Sequence, residues 1–109
     1  KNSGLGLDFI KSLNPASYVR DNDVMKKTEY GFIAQELETA LNKVGAANNG
    51  MITKDDAGMY SVRYNDLFAP MVKAIQEQQM QIDEQKKLID EQQKKIDKLI
   101  NLLEALGKK

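Results

Sequence analysis

The last third of the chain carries an apolar residue at every seventh position, and this spacing constrains the fold more than any other feature. Heptad position a holds Ile75, Ile82, Ile89, Ile96 and Leu103. Position d then holds Gln78, Gln85, Gln92, Leu99 and Leu106. Five heptads in one register predict a coiled coil, in which the a and d residues of neighbouring helices pack together.

These ten residues, called the heptad seam below, are predicted to form an interface between copies of the chain. From Ile75 to Gln92 the apolar part of the seam is one isoleucine wide, whereas a helix that packs on its own domain usually has a wider stripe. That packing on its own domain is the alternative interpretation. Burial of each isoleucine stabilises the packed state by about 1.5 to 3 kcal/mol, provided that other copies cover it. Periodicity alone leaves dimer and trimer open.

The three consecutive glutamines at position d have more than one interpretation. They are weak core layers that give up stability for register or oligomeric state, as buried polar residues in coiled coils can. Alternatively, their amides line an axial channel that holds water, an ion or a small ligand, or they weaken a stretch so that the helices can separate. After Ile96 the seam becomes richer in leucine, so the C-terminal end is the predicted clasp.

Composition excludes several classes of function. The chain has 16 basic and 16 acidic residues, no cysteine and no histidine, which removes disulfides, thiolate metal sites and the commonest general base. We therefore predict no metal and no cofactor. No apolar run is long enough for a membrane span, and no basic block precedes the heptads, so neither a membrane nor a nucleic acid is a predicted partner.

Before the heptads, short periodic segments separated by glycine, proline and polar residues predict a small α+β head. The predicted elements are a helix over 7–13, strands over 16–20 and 29–33, a helix over 34–45 that ends at Gly45, and a β-hairpin over 51–64. The predicted domains are residues 1–65, the head, and residues 66–109, the long helix. Asn65 and Asp66 are candidate N-caps for that helix, and Pro70 predicts a kink or a delayed start.

The order of four segments resembles the chaperone-of-endosialidase family, the C-terminal intramolecular chaperone and autopeptidase domains of phage tailspikes, fibres and neck appendages. The segments are "GLDFIKSLNPASY", "YGFIAQELETAL", a hairpin, and "YNDLFAPMVKAIQEQQMQI". The most specific pieces are "GFIAQE", from Gly31 to Glu36, and the stretch from Tyr64 to Gln79.

The resemblance implies a parallel homotrimeric coiled coil that aligns three copies of an upstream β-rich fibre or tailspike and is then cut off by its own serine. In the family a Ser-Asp motif opens the domain, with a lysine nearby as general base, and this motif would precede residue 1. Lys1 is at most a remnant of it, and Ser3 is not followed by aspartate, so we assign no catalytic residue and expect no self-cleavage by these 109 residues. The implied location is the host cytoplasm during phage assembly, with no released fragment in the mature virion.

Five polar or aromatic residues are candidate subunit contacts or neighbours of the cleavage site. They are Gln35, Glu36, Arg63, Tyr64 and Asp66. The alternative is that they are ordinary helix-start and surface residues. For the whole chain the alternative function is a permanent coiled-coil oligomerisation module of a structural or surface protein, without proteolysis.

Overall fold

The computed structural model describes residues 3–108 and has a mixed α+β architecture, which confirms the predicted class. The elements in chain order are α1 (Leu7–Ser12), β1 (Ala16–Val19), β2 (Thr28–Gly31), α2 (Ala34–Lys43), β3 (Ile52–Lys54), β4 (Tyr60–Val62), a 3-10 turn (Tyr64–Leu67) and α3 (Phe68–Gly107). Contacts divide the chain into one unit that ends at Ile75 and a second that begins at Gln76. The first two turns of α3 therefore belong with the head, and the predicted domain boundary at residue 65 stays a prediction.

Helix α1 packs its predicted face on the core and buries Phe9 in addition. The sequence predicts Leu7, Ile10 and Leu13 along one side, but the structure buries Leu7 and Phe9, while Ile10 and Leu13 are only half-buried. Phe9 is 2% exposed. A helix of six residues has fewer than two turns, so its helical period does not indicate that the large Phe9 ring also enters the core.

Two antiparallel hairpins form separate two-stranded sheets. In the first, Tyr18 pairs with Glu29, and the Arg20 Nε lies 2.7 Å from the Glu29 carboxylate. The hydrogen bond to Tyr18, and then the charge of Glu29, raise the pKa of the Arg20 guanidinium above its ordinary value. In the second, the Asp55 carboxylate accepts the Met59 N–H at 2.8 Å, which closes the predicted turn.

Helix α2 ends at Lys43, and the predicted Gly45 forms part of its C-terminal cap. Gly45 has φ +77°, its N–H donates to the Asn42 carbonyl, and the Ala46 N–H donates to the Leu41 carbonyl. This pair of bonds is a Schellman motif, whose left-handed residue is usually glycine. Ala40 is buried whereas Val44 is exposed, which corrects the predicted apolar face of Leu37, Leu41 and Val44.

The core of the head joins both short helices to the second hairpin and the 3-10 turn. Its buried members are Phe9, Leu37, Ala40, Leu41, Met51 and Leu67. Half-buried residues pack around it, among them Leu5 near the start of the chain and Phe32 after β2. The segment around Leu5 and the "GFIAQE" motif are thus fixed to the same core.

The long helix starts later than the sequence suggests. Asn65 and Asp66 lie inside the 3-10 turn rather than capping an α-helix, and α3 begins at Phe68. Pro70 is the third residue of α3 and is buried. The missing N–H of a proline in the first turn costs nothing, because no intrahelical acceptor exists there. Of the two effects predicted for Pro70, the structure shows the delayed start, and α3 continues as one helix of 40 residues.

Candidate functional site

The heptad seam is exposed along the single chain. Its apolar members range from 43% exposed at Ile82 to 68% at Leu103, and Gln78, Gln85 and Gln92 are exposed as well. Every described side chain from residue 78 to residue 108 is exposed. A stripe of this length leaves a large apolar area in water, and such surfaces mark sites of association.

The seven-residue spacing extends one heptad further towards the N-terminus than the sequence analysis placed it. Phe68 precedes Ile75 by seven residues and Met71 precedes Gln78 by seven, so they occupy positions a and d. Phe68 is 61% exposed and Met71 is 43% exposed, while Pro70 and Ala74 of the same turns are buried. The sequence already shows this spacing, but Pro70 lies between Phe68 and Met71 and led to the prediction of a kink or a delayed start there.

The two most specific pieces of the family resemblance meet in the head. The Tyr64 hydroxyl accepts a hydrogen bond from the Phe32 N–H at 3.3 Å, and the rings of the two residues lie 6.3 Å apart, inclined by 30°. A β-carbon on Gly31 would lie 2.6 Å from the Tyr64 hydroxyl oxygen. Gly31 therefore allows Tyr64 to pack on the end of β2, where a larger residue would displace it.

A shallow hollow of about 500 Å³ lies over this contact. Its lining residues are Pro15, Ala16, Ser17, Tyr30, Gly31, Phe32 and Tyr64. Tyr30 points outwards, because alternate residues of a strand face opposite sides of a sheet. The residues that line the hollow are mostly apolar or aromatic.

Gln35 and Glu36 lie in the first turn of α2, and their described contacts do not include Tyr64. The Gln35 carbonyl accepts the Thr39 hydroxyl at 3.0 Å, and the Gln35 side chain is exposed. Glu36 lines a small cleft beside the end of α1, with Ser12 and Asn14 among its neighbours. A carboxylate in the first turn also stabilises the helix through its dipole.

Arg63 and Asp66 pair with each other beside Tyr64. The Arg63 guanidinium lies 3.5 Å from the Asp66 carboxylate, and both side chains are accessible to water. An exposed pair of this kind contributes little stability, typically below about 1 kcal/mol. The structure thus pairs Arg63 with Asp66, while the role of all five candidate residues as subunit contacts or neighbours of the cleavage site stays a prediction.

The first described residues form a turn around Ser3. Lys1 lies outside the described residues. The Ser3 hydroxyl donates to the Leu5 carbonyl at 3.0 Å and accepts the Leu5 N–H at 3.1 Å, so it shapes a turn. Between residues 3 and 108, no three Asp or Glu side chains form a group that could hold a metal ion.

In this part of the chain no helix is both long enough and apolar enough to cross a membrane.

A family model described as chaperone of endosialidase matches residues 3–46. The match runs from the turn at Ser3 to the end of the Schellman motif at Ala46 and contains "GFIAQE", so it confirms the resemblance over this segment. The other specific piece, from Tyr64 to Gln79, lies outside the matched residues. No curated protein and no protein of solved structure matches the chain.

Proposed function

We propose that this chain is a trimerisation chaperone that aligns three copies of an upstream, β-rich tailspike or fibre segment and is released by self-cleavage just upstream of residue 1. The family match over residues 3–46 supports the chaperone class. The observation that carries the proposal is the heptad seam, exposed at regular spacing along a 40-residue helix.

Tethering is the physical basis of this function. Intertwined β-structure needs distant segments of three chains in register, which is slow and exposes unpaired strand edges in the meantime. Joining the three C-terminal ends raises the effective concentration of the segments to the millimolar range expected for short linkers. The β-rich segments then have to find one another only within one assembly, rather than as free chains in solution.

Release gives the fibre its lasting stability. Once the β-rich part has folded and the clasp has left, unfolding becomes nearly irreversible, so the lifetime of the product is set by its barrier to unfolding. The family resemblance assigns the cut to a serine nucleophile with a lysine as general base. A lysine can act as a base when its surroundings lower its pKa. The Ser3 hydroxyl, held by Leu5, is a turn residue rather than that nucleophile.

The mass of the purified chain in solution, measured by light scattering, tests the assembly. We expect three chains per particle. Replacing Ile89 and Ile96 with glutamine removes two apolar seam positions but keeps residues with good helix propensity. This variant should fall to an unstable monomer. The matched control replaces Lys87 and Lys94 with glutamine. Both are exposed residues at heptad position f, on the side of the helix opposite the seam. A well-folded monomer in the isoleucine variant would refute the seam.

Self-cleavage distinguishes this proposal from a permanent oligomerisation module. A longer natural polypeptide that includes the residues preceding Lys1 should contain a Ser-Asp sequence and should appear as two fragments after expression. If the longer polypeptide stays intact and trimeric, the permanent module is the better description. In the proposed function, cleavage takes place in the host cytoplasm during assembly, and the fragment is absent from the mature virion.

A further inference from the structure

The first described residue is joined to helix α3 by a hydrogen bond that spans 70 positions of the sequence. The Lys73 ammonium donates to the Ser3 carbonyl at 2.5 Å, and both residues are half-buried. Lys73 is the sixth residue of α3, and its neighbours Pro70 and Ala74 are buried against the head. The lysine is thus fixed to the head, and it holds the N-terminal segment in turn.

The bond is charged on one side only. An ammonium that donates to a carbonyl forms a stronger hydrogen bond than a neutral donor does. The Ser3 carbonyl is a backbone acceptor, so this bond fixes the path of the chain at residue 3. Three constraints then act on residues 3–5: the Lys73 bond, the turn closed by the Ser3 hydroxyl, and the packing of Leu5 on the core.

We propose that Lys73 is a positioning residue for release: it fixes the N-terminal segment to the first turns of α3, so that the chain leading to the cut is held in one place. This inference rests on the proposed function. Cleavage by an intramolecular nucleophile depends on geometry to within about 1 Å. Since α3 also carries the heptad seam, the tether makes correct placement of the N-terminal segment depend on a folded α3.

The first experiment uses the chain itself and measures backbone amide hydrogen exchange. Lys73→Met keeps the aliphatic stem but removes the ammonium. We expect the Leu5 amide to exchange about tenfold faster, since hydrogen bonds to charged groups contribute that much or more. The core amide of Leu41 should be unchanged. Lys87→Met, on the exposed part of α3, is the control and should change neither. Unaltered exchange at Leu5 in Lys73→Met would overturn the tether.

The second experiment measures cleavage of the longer natural polypeptide. In Lys73→Met we expect the cleavage rate to fall about tenfold, the same factor as the local opening, while light scattering still reports a trimer. Lys73→Arg keeps a charged donor and should recover part of the rate, and Lys87→Met should cleave normally. Normal cleavage in Lys73→Met, despite faster exchange at Leu5, would overturn the positioning role. An uncut wild-type polypeptide would overturn self-cleavage and that role together, and the exchange experiment would still decide the tether.

Discussion

The Tyr64 hydroxyl occupies the space that a side chain on Gly31 would need. A β-carbon there would lie 2.6 Å from the hydroxyl oxygen and 3.4 Å from the ring carbon that bears it. Tyr64 follows β4 and Gly31 ends β2, so this contact joins the first hairpin to the turn that precedes α3. The glycine of "GFIAQE" is therefore a requirement of close packing.

Gly31→Ala is predicted to destabilise the head. The added methyl group must displace Tyr64 and with it the hydrogen bond from the Phe32 N–H, so we expect the free energy of unfolding to fall by about 1 to 3 kcal/mol. Denaturant unfolding at fixed chain concentration measures this change, since the stability of an oligomer depends on concentration.

Gly4→Ala is the control for that substitution, because a β-carbon on Gly4 would meet no atom within 4 Å. The double variant Gly31→Ala with Tyr64→Phe removes the clashing hydroxyl and should recover part of the loss. Equal stability of Gly31→Ala and Gly4→Ala would show that Tyr64 does not pack on Gly31 in solution.

The sequence predicted the elements that depend on local chemistry. Gly45 ends α2 because the Schellman motif needs a left-handed residue, and Asp55 to Gly58 form a hairpin turn because the aspartate carboxylate binds a nearby backbone N–H. The long helix α3 was predicted for the same reason, because its helical period repeats without a break after Ile75, while the heptad seam as an interface stays a prediction. In each case the signal lies within a few residues of the structure that it specifies.

The sequence did not predict features that depend on contacts between distant segments. Phe9 enters the core because α2 and the 3-10 turn provide a place for its ring, which the period of a six-residue helix cannot indicate. The contacts of Tyr64 with Gly31, and of Lys73 with Ser3, join residues more than 30 positions apart. Local patterns say nothing about such pairs, so these parts of the candidate site required the structure.

Gln85→Leu is predicted to stabilise the assembly and to make its register and number of chains less uniform. Within the proposed trimer a leucine at position d buries an apolar side chain in place of an amide, which should stabilise the assembly by about 1.5 to 3 kcal/mol per chain. Since polar core residues help to select register and oligomeric state, we also expect a broader distribution of masses. Thermal unfolding and sedimentation measure the two effects.

Gln76→Leu is the control for the glutamine layer, because Gln76 is an exposed residue at position b. It should change neither the unfolding temperature nor the mass. A lower unfolding temperature for Gln85→Leu would mean that the Gln85 amide makes stabilising contacts in the assembly, which would favour the channel interpretation of this layer.

Leu103→Gln is predicted to weaken association more than Ile75→Gln does. Leu103 lies among Leu99, Ile100, Leu102 and Leu106, whereas the Ile75 layer is followed by Gln78. Loss of a fully buried leucine costs about 1.5 to 3 kcal/mol per chain, and neighbouring layers that depend on it lose packing as well. Dilution series followed by light scattering should therefore show dissociation at a higher concentration for Leu103→Gln. Dissociation at a higher concentration for Ile75→Gln would instead place the most stable part of the interface at the N-terminal end of α3.

Phe68→Ser is predicted to weaken the proposed trimer although Phe68 belongs to the head. The residue is exposed in the single chain and occupies position a one heptad before Ile75, while Pro70 and Ala74 fix the same turns to the core. If neighbouring copies cover the ring, its loss should cost up to about 3 kcal/mol per chain and raise the concentration at which the trimer dissociates. Ala69→Ser, at an exposed position in the same turn, should have no effect.

Because Phe68 contributes nothing to the buried core of the single chain, weaker association with an unchanged fold of the head would place the first contact between copies at the start of α3. Association equal to that of Ala69→Ser would instead place the beginning of the interface at Ile75.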